Sequence, residues 1–377
     1  MAIFNNKDNR IVSNGFEIKR VREKFPVLQE VLYANTAATG LLNTDLFEWR
    51  RKHDEEYLIG GSEMKQKGFE NTHLINEAVG DFFSCRKENV ALTPNFSLAL
   101  NLLLEGLPNN QKVLLLKNDY PSLNWVFETR NFEREYLEID AKLEERIYTA
   151  VNEKRVDVLA LSVVQWINGI KIDLDFLKQL KSEFPDLMII ADGTQFCGTQ
   201  KFNFESSGID ILGASAYKWL LAGYGNGFFL IKEAIKKRFD LKAIGNGSVD
   251  RDISKRDSIP FCKHLEPGHL DSLNFGSLQF SLNFLKNIGV EKIEERLKKL
   301  SITAMAAFSG LGLLEKGLSE RKEHSTIFNI KGDQQHFDKL QANGVACAQR
   351  GDGIRLSFHF YNTEDEIDRI AKILKSQ

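Results

Sequence analysis

The sequence predicts an α/β fold in two units: a large three-layer unit on a mostly parallel sheet, and a smaller α+β unit towards the C-terminus. Three observations predict it. Between about residues 80 and 235, short apolar runs alternate with stretches of helical period, the pattern of a sheet with helices on its faces. Those runs are almost continuously apolar, as in strands buried on both sides. Towards the C-terminus the alternation gives way to long amphipathic segments and a single polar-apolar strand pattern.

The strands expected in the large unit are "KVLLL" (112–116), "VDVLALSVV" (156–164), "LMIIAD" (187–192), "IDILGAS" (209–215) and "GFFLI" (227–231). Helical patterns separate several of them: "SLALNLLLEGL" (97–107), "KLEERIYTAVNEK" (142–154) and "DFLKQLKSEF" (175–184). Later, "VEKIEERLKKLSITAMAAFSGLGLLEKG" reads as one long amphipathic helix or a pair. "GIRLSFHFY" alternates like a half-exposed strand, and "TEDEIDRIAKILKSQ" reads as a closing helix with Thr363 as N-cap. The expected division is 1–30 as a segment packing with the small unit, 31–260 as the large unit and 261–377 as the small one.

Composition narrows the function classes. A hydrophobic content of 42% and charged content of 27% over 377 residues suit a globular protein. A formal charge of −2 offers no basic face for nucleic acid. No apolar run reaches the length of a membrane span, and "MAIFNNKDNR" has no apolar signal core, so no membrane association is expected. Cys85, Cys197, Cys262 and Cys347 lie far apart without paired spacing, which suits a reducing cytoplasm and argues against a zinc site or a disulfide framework. The seven histidines show no ligand spacing. "GYGNG" (223–227) lacks dinucleotide-loop spacing and precedes a strand.

In open α/β sheets ligands gather beyond the carboxyl ends of the strands. At those ends the sequence has Tyr120 after "KVLLLKND", Asp192 and Gln195 after "LMIIA", and Ser215, Tyr217 and Lys218 after "IDILGA". "LTPNF" adds Phe96 and Ser97 at the start of a helix, where backbone N–H groups and a hydroxyl make an anion site. Singly, each has an ordinary reading. Lys218 could snorkel at the surface, Asp192 could cap a turn, Ser97 could cap a helix and Tyr120 could fill core. Jointly they match an aromatic cation carrying a phosphate and an aldehyde. Pyridoxal 5'-phosphate (PLP) needs a carboxylate for its ring nitrogen, a lysine for its Schiff base, an aromatic to stack on and hydroxyls for its phosphate.

On these residues the chain resembles class V aminotransferases, the cysteine desulfurase-like branch of fold-type I PLP enzymes, over nearly its whole length. "FPVLQEVLYANTAATGLL" is similar to the family's opening segment and would bring Asn35 to the substrate. "VALTPNFSLALNLLLEGL" resembles the helix that contacts phosphate through Phe96 and Ser97, and "NDYPSLNW" the segment bearing the ring-stacking residue, here Tyr120. "ADGTQFCGTQKFNFESSGIDILGASAYKWLLAGYGNGFFLI" is the strongest match. By that resemblance Asp192 pairs with the pyridine nitrogen, Gln195 contacts the ring hydroxyl, Ser215 and Tyr217 hold phosphate, and Lys218 carries the cofactor. "FGSLQF" resembles a loop reaching the neighbouring subunit's phosphate, which implies a homodimer with Ser277 crossing to the other site. "GDGIRLSFHFYNTEDEID" resembles the C-terminal signature, with Arg355 clamping the substrate carboxylate.

The resemblance implies a large domain with a seven-stranded type of sheet and PLP chemistry on a small amino acid. Transamination is favoured, with desulfuration, selenocysteine lysis or epimerisation as alternatives, and a silent PLP-binding protein as the rival of another class. Cys347 is the one cysteine near Arg355, but tyrosines at 120 and 217 replace the histidines of desulfurases. His264 and His269 lie in a loop that could enter the site.

Overall fold

The computed structural model describes residues 18–250 and 252–375; the remainder of the expected N-terminal segment, 1–17, lies outside them. The strands are β1 (Leu32–Tyr33), β2 (Val90–Thr93), β3 (Lys112–Leu116), β4 (Glu133–Leu137), β5 (Val158–Ser162), β6 (Met188–Asp192), β7 (Ile211–Ser215), β8 (Gly227–Ile231), β9 (Ile327–Lys331), β10 (Val345–Ala346), β11 (Ala348–Arg350) and β12 (Gly353–Ser357). Seven of them form one sheet in the order β2-β8-β7-β6-β5-β3-β4. β8 runs antiparallel to β7 and β2, and the other pairs are parallel. β5, β6, β7 and β8 are buried along their whole length, as their unbroken apolar runs require under helices on both faces.

β3 leads to β4 on one side, while β5, β6 and β7 progress the other way. The strand order therefore reverses between β3 and β5, the place where such sheets open a ligand crevice. β4, "EREYL", is a half-exposed edge strand, and its polar residues hide it in the sequence. β2, "VALT", is fully buried and escapes notice because it is short. Helix Phe96–Glu105 is capped by Asn95, whose side chain accepts from the Leu98 N–H at 2.9 Å. Ser97 is thus inside the first turn rather than the cap.

The smaller sheet has the order β11-β12-β9. "GIRLSFHFY" is not half-exposed as its alternation suggests: Ile354 through Tyr361 are all buried. β12 is the central strand of that sheet, and its far end is covered by the N-terminal segment, where the Ser357 N–H donates to Ala34 O at 2.8 Å. The sequence from Val290 forms one helix, Val290–Gly310, packed on the closing helix Glu364–Lys375. Thr363 Oγ1 accepts from the Glu366 N–H at 3.3 Å, as an N-cap does.

Two segments lie across the expected division. β1, assigned to the large unit, pairs in parallel with β10 of the small one. Helix Ser272–Ile288, assigned to the small unit, packs against the long helices Thr44–Gly60 and Ser62–Phe83.

Candidate active site

The carboxyl edge of the large sheet gathers Asp119 and Tyr120 beyond β3, Ser162 at the end of β5, Asp192 at the end of β6, and Ser215 through Lys218 beyond β7. Lys218 is 5% exposed, and its Nζ lies 5.4 Å from the centre of the Tyr120 ring and 5.5 Å from that of Tyr217. Burial lowers its pKa to about 8; Asp192 pulls against that shift, and Arg355 and Arg350 add to it. The same burial raises Asp192 to about 6, against its hydrogen bonds from Thr194 and the attraction of Lys218. A lysine and a carboxylate brought this close to neutrality side by side are suited to proton movement and to a cationic guest.

The turn bearing Lys218 is locked by a distant piece of chain. Gly40 N–H donates to Tyr217 O at 2.9 Å, and a Cβ on Gly40 would sit 1.9 Å from Lys218 O. Only glycine permits that approach. Leu221, directly after, holds a left-handed φ of 58°, costly for a bulky residue.

Gln195 and Trp219 form a second layer behind the lysine. Trp219 Nε1 donates to Gln195 Oε1 at 2.7 Å, and Gln195 Nε2 donates to Ala37 O at 3.0 Å. The amide oxygen of Gln195 thus already holds one donor, and one of its two amide hydrogens remains free. His359 is fully buried, its Nε2 facing Trp219 O at 3.0 Å.

At the phosphate end of the expected site, Ser215 Oγ accepts from the Phe96 N–H at 3.0 Å. Ser97, with its amide and hydroxyl, stands in the first turn of the same helix. Thr93 Oγ1, at the end of β2, is buried with no protein partner.

Asp119 is not among the residues expected from the sequence, although it too follows a buried apolar strand. It is buried, and its carboxylate accepts from Ser162 Oγ at 2.6 Å, Ser162 N–H at 2.8 Å and Tyr120 N–H at 2.7 Å. It so fixes the start of the Tyr120 wall. Trp166, also unforeseen, meets the Tyr120 ring edge-on at 5.6 Å. Its carbonyl accepts from Arg355 Nη1 at 2.8 Å. Arg355 is 2% exposed with its Nε unpartnered, and burial, then Arg350, lowers it to about 10. Asn35 bridges to Ser357 of β12, and its side-chain oxygen is buried without a partner.

Ser277 does not join the site. "FGSLQF" is the interior of helix Ser272–Ile288, not a loop, and Ser277 is completely buried. Its hydroxyl donates to Leu273 O at 2.6 Å and accepts from Arg50 Nε at 2.9 Å within one protomer. His264 turns its Nδ1 to Ala243 O at 2.8 Å. Cys347 is buried, and burial pushes its thiol up to about 11.

Set against known proteins, residues 33–370 match the family described as Aminotransferase class-V. The chain is 23% identical to a probable cysteine desulfurase of Pyrococcus abyssi, over 94% of this chain and 96% of that one. It is 24% identical to the isopenicillin N epimerase of Amycolatopsis lactamdurans, over 79% and 83%. Among solved structures, a C-DES mutant with glycine covalently linked to its PLP cofactor superposes with a TM-score of 0.84 at 16% identity, covering 94% of this chain and 99% of that one. The apo cysteine desulfurase of Thermococcus onnurineus NA1 gives 0.81 at 21% identity, covering 95% and 97%.

Proposed function

The chain belongs to the class-V aminotransferase family, and within that PLP-dependent family we propose that it transfers the amino group of a small amino acid to a keto acid. It is a PLP-dependent enzyme acting on an amino acid. Its residues fit the cofactor. The orphaned Thr93 Oγ1 lies at the strand end leading into the helix on whose first N–H Ser215 sits, and a phosphate there would meet that hydroxyl and the Ser97 amide at a helix N-terminus. When bound, PLP supplies a carbonyl that captures an amino group and a cationic ring that draws electrons from the substrate Cα.

We infer the following roles for the protein groups. Asp192 holds the ring nitrogen's proton, and burial strengthens that ion pair. Tyr120 stacks on the ring, steadied by Asp119 through its N–H. Gln195 donates to the ring hydroxyl with its free amide hydrogen. Ser97, Ser215 and Tyr217 hold the phosphate, and Arg355 takes the α-carboxylate in its fork, with Asn35 beside it. With PLP and substrate bound, the Lys218 amine would be the group that moves a proton at the substrate Cα; a pKa of about 8 suits general acid–base work near neutrality.

The observation that carries the reading is Lys218 itself: a buried amine held near neutrality beside a buried carboxylate, facing an arginine with no carboxylate partner. Desulfuration would need a thiolate. All four cysteines are buried, and burial raises every one of their thiols. Unpaired as they are, they fit a cytoplasmic setting. We further take the enzyme to be a homodimer, since Tyr57, Leu58 and Ile59 expose apolar side chains together at 58%, 85% and 88%.

The test is to incubate the PLP-loaded protein with single amino acids and a keto-acid acceptor, scoring new keto acid, sulfide and inverted substrate. Keto acid from at least one amino acid is expected. Sulfide or inverted substrate without keto acid would replace transamination by lysis or epimerisation. Lys218→Ala should lose both turnover and the absorbance of the lysine-bound cofactor.

A further inference from the structure

We propose that the substrate carries a second carboxylate on its side chain, and that Arg350 is the residue that recognises it. This rests on reading the site as an amino-acid site with Arg355 at the α-carboxylate.

The geometry begins with the register of the β11–β12 hairpin. Ala348 pairs with Arg355 and Arg350 with Gly353. Side chains directly opposite share a face, and so do residues two apart along a strand. Arg350 and Arg355 are therefore diagonal neighbours on one face, with Cα atoms roughly 7–8 Å apart, within reach of one small ligand for side chains this long. That face leads to the lysine through three contacts already described: Arg355 to the Trp166 carbonyl, Trp166 to the edge of Tyr120, and Tyr120 to Lys218.

Neither guanidinium has a counter-charge. Arg355 donates to a backbone carbonyl and buries an unpartnered Nε; Arg350 donates from Nη1 to its neighbour's Gln349 O at 2.8 Å and keeps its other end exposed. Among the described residues no carboxylate lies within ion-pair distance, 4.0 Å, of either. Several half-buried arginines differ, Arg321 being paired with Glu144, Arg296 with Glu364 and Arg130 with Glu105, while Arg50 and Arg238, also without a carboxylate, each have two neutral acceptors instead.

Two like charges on one face, one of them buried, repel and cost stability unless an anion joins them. The α-carboxylate occupies the fork of Arg355, the buried one. Arg350, at the mouth and one diagonal step away, still needs an anion. An amino acid with a carboxylate on a short side chain brings both groups at that spacing. A monocarboxylic amino acid would leave Arg350 with water alone.

The test uses unreactive probes on the PLP-loaded protein, succinate against butyrate, with affinities read by calorimetry. Each has four carbons, and only succinate has the second carboxylate. Succinate should bind about tenfold tighter or better, the scale of one charged hydrogen-bonded contact. In Arg350→Gln the preference should fall to near one, whereas Arg350→Lys should keep part of it, since the charge remains but the fork is lost. Equal affinities in the unmodified protein, or a preference that survives Arg350→Gln, would overturn the proposal. The amino-acid panel separates this failure from that of the broader reading. If monocarboxylic amino acids give keto acid as readily as dicarboxylic ones, only the second carboxylate falls. If none gives keto acid while succinate still binds tightly, transamination falls and the diacid site stands.

Discussion

Replacing Asp192 by asparagine should push the Lys218 amine further towards neutrality, and the size of the effect can be worked from its surroundings. Burial brings Lys218 from 10.5 to about 8, which corresponds to about 3 kcal/mol in favour of the neutral amine. At pH 7 about a tenth of the protein then carries a neutral Lys218, against on the order of one in three thousand for an ordinary lysine. Of the charged neighbours acting on it, Asp192 alone favours the cation, while Arg355 and Arg350 oppose it. Asp192→Asn keeps the shape and removes that attraction, so the midpoint should drop by roughly one to three further units, the usual effect of one close opposite charge. The PLP-free protein, reductively methylated with labelled formaldehyde, gives a lysine resonance whose shift can be followed from pH 5 to 11. Lys218→Met identifies the signal. A midpoint that stays at 8 or rises in Asp192→Asn would refute the electrostatic coupling and, with it, the pairing of these two residues around one ring. Stability has a matching pH dependence. A lysine depressed in the folded state binds fewer protons than the unfolded chain between about pH 8 and 10.5, so this group adds stability as pH rises through that window. Below about pH 8 its full cost is present.

Ser277→Ala should lower unfolding free energy by about 1–2 kcal/mol in urea, because Arg50 Nε loses its acceptor, while the cofactor absorbance stays intact. A loss of cofactor binding would return Ser277 to the site. Gly40→Ala must displace the Lys218 carbonyl from a 1.9 Å clash and should cost about 3 kcal/mol together with most of the bound-cofactor absorbance; a normal spectrum and melting temperature would show the turn to be free to move. Trp219→Phe leaves Gln195 Oε1 without its 2.7 Å donor. It should weaken PLP binding about tenfold, read by equilibrium dialysis, and unchanged affinity would separate Gln195 from the cofactor.

The strand ends were legible in the sequence because burial on both faces leaves no ambiguity: an apolar run that stops at Asp192 or at Ser215-Ala-Tyr-Lys218 marks both a strand and what lies beyond it. The same rule covers Asp119, whose strand "KVLLL" ends at Leu116, but the intervening Lys117 and Asn118 disguise it as a loop aspartate. β4 escapes notice because an edge strand keeps polar side chains. Ser277 misleads for a different reason. "FGSLQF" has the glycine and serine of a loop, yet helical spacing buries Phe275, Leu278 and Leu282 together, and that longer period outweighs the local residues. Arg355 reads as half-exposed because alternation reports one covered face, and nothing local announces that β1 and the segment after it will cover the other.

That covering segment explains how groups far apart in sequence act on one substrate. β1 adds to β10, and Asn35 bridges to Ser357 only two residues beyond Arg355, so the residues after β1 belong mechanically to the small sheet that carries both arginines. A few residues on, Ala37 O receives Gln195, and Gly40 clamps the turn of Lys218 on the large sheet. One short stretch, residues 32–40, thus ties the sheet that carries Arg355 to the turn that carries Lys218. Catalysis that depends on placing a Cα proton within reach of one nitrogen gains most from such rigidity. The constraint also requires a Gly40 without a side chain and a buried Asn35 oxygen without a protein partner. The first is a steric condition for holding Lys218 in place. The second leaves an acceptor, next to Arg355, for the ammonium or hydroxyl of whatever carboxylic acid that arginine binds.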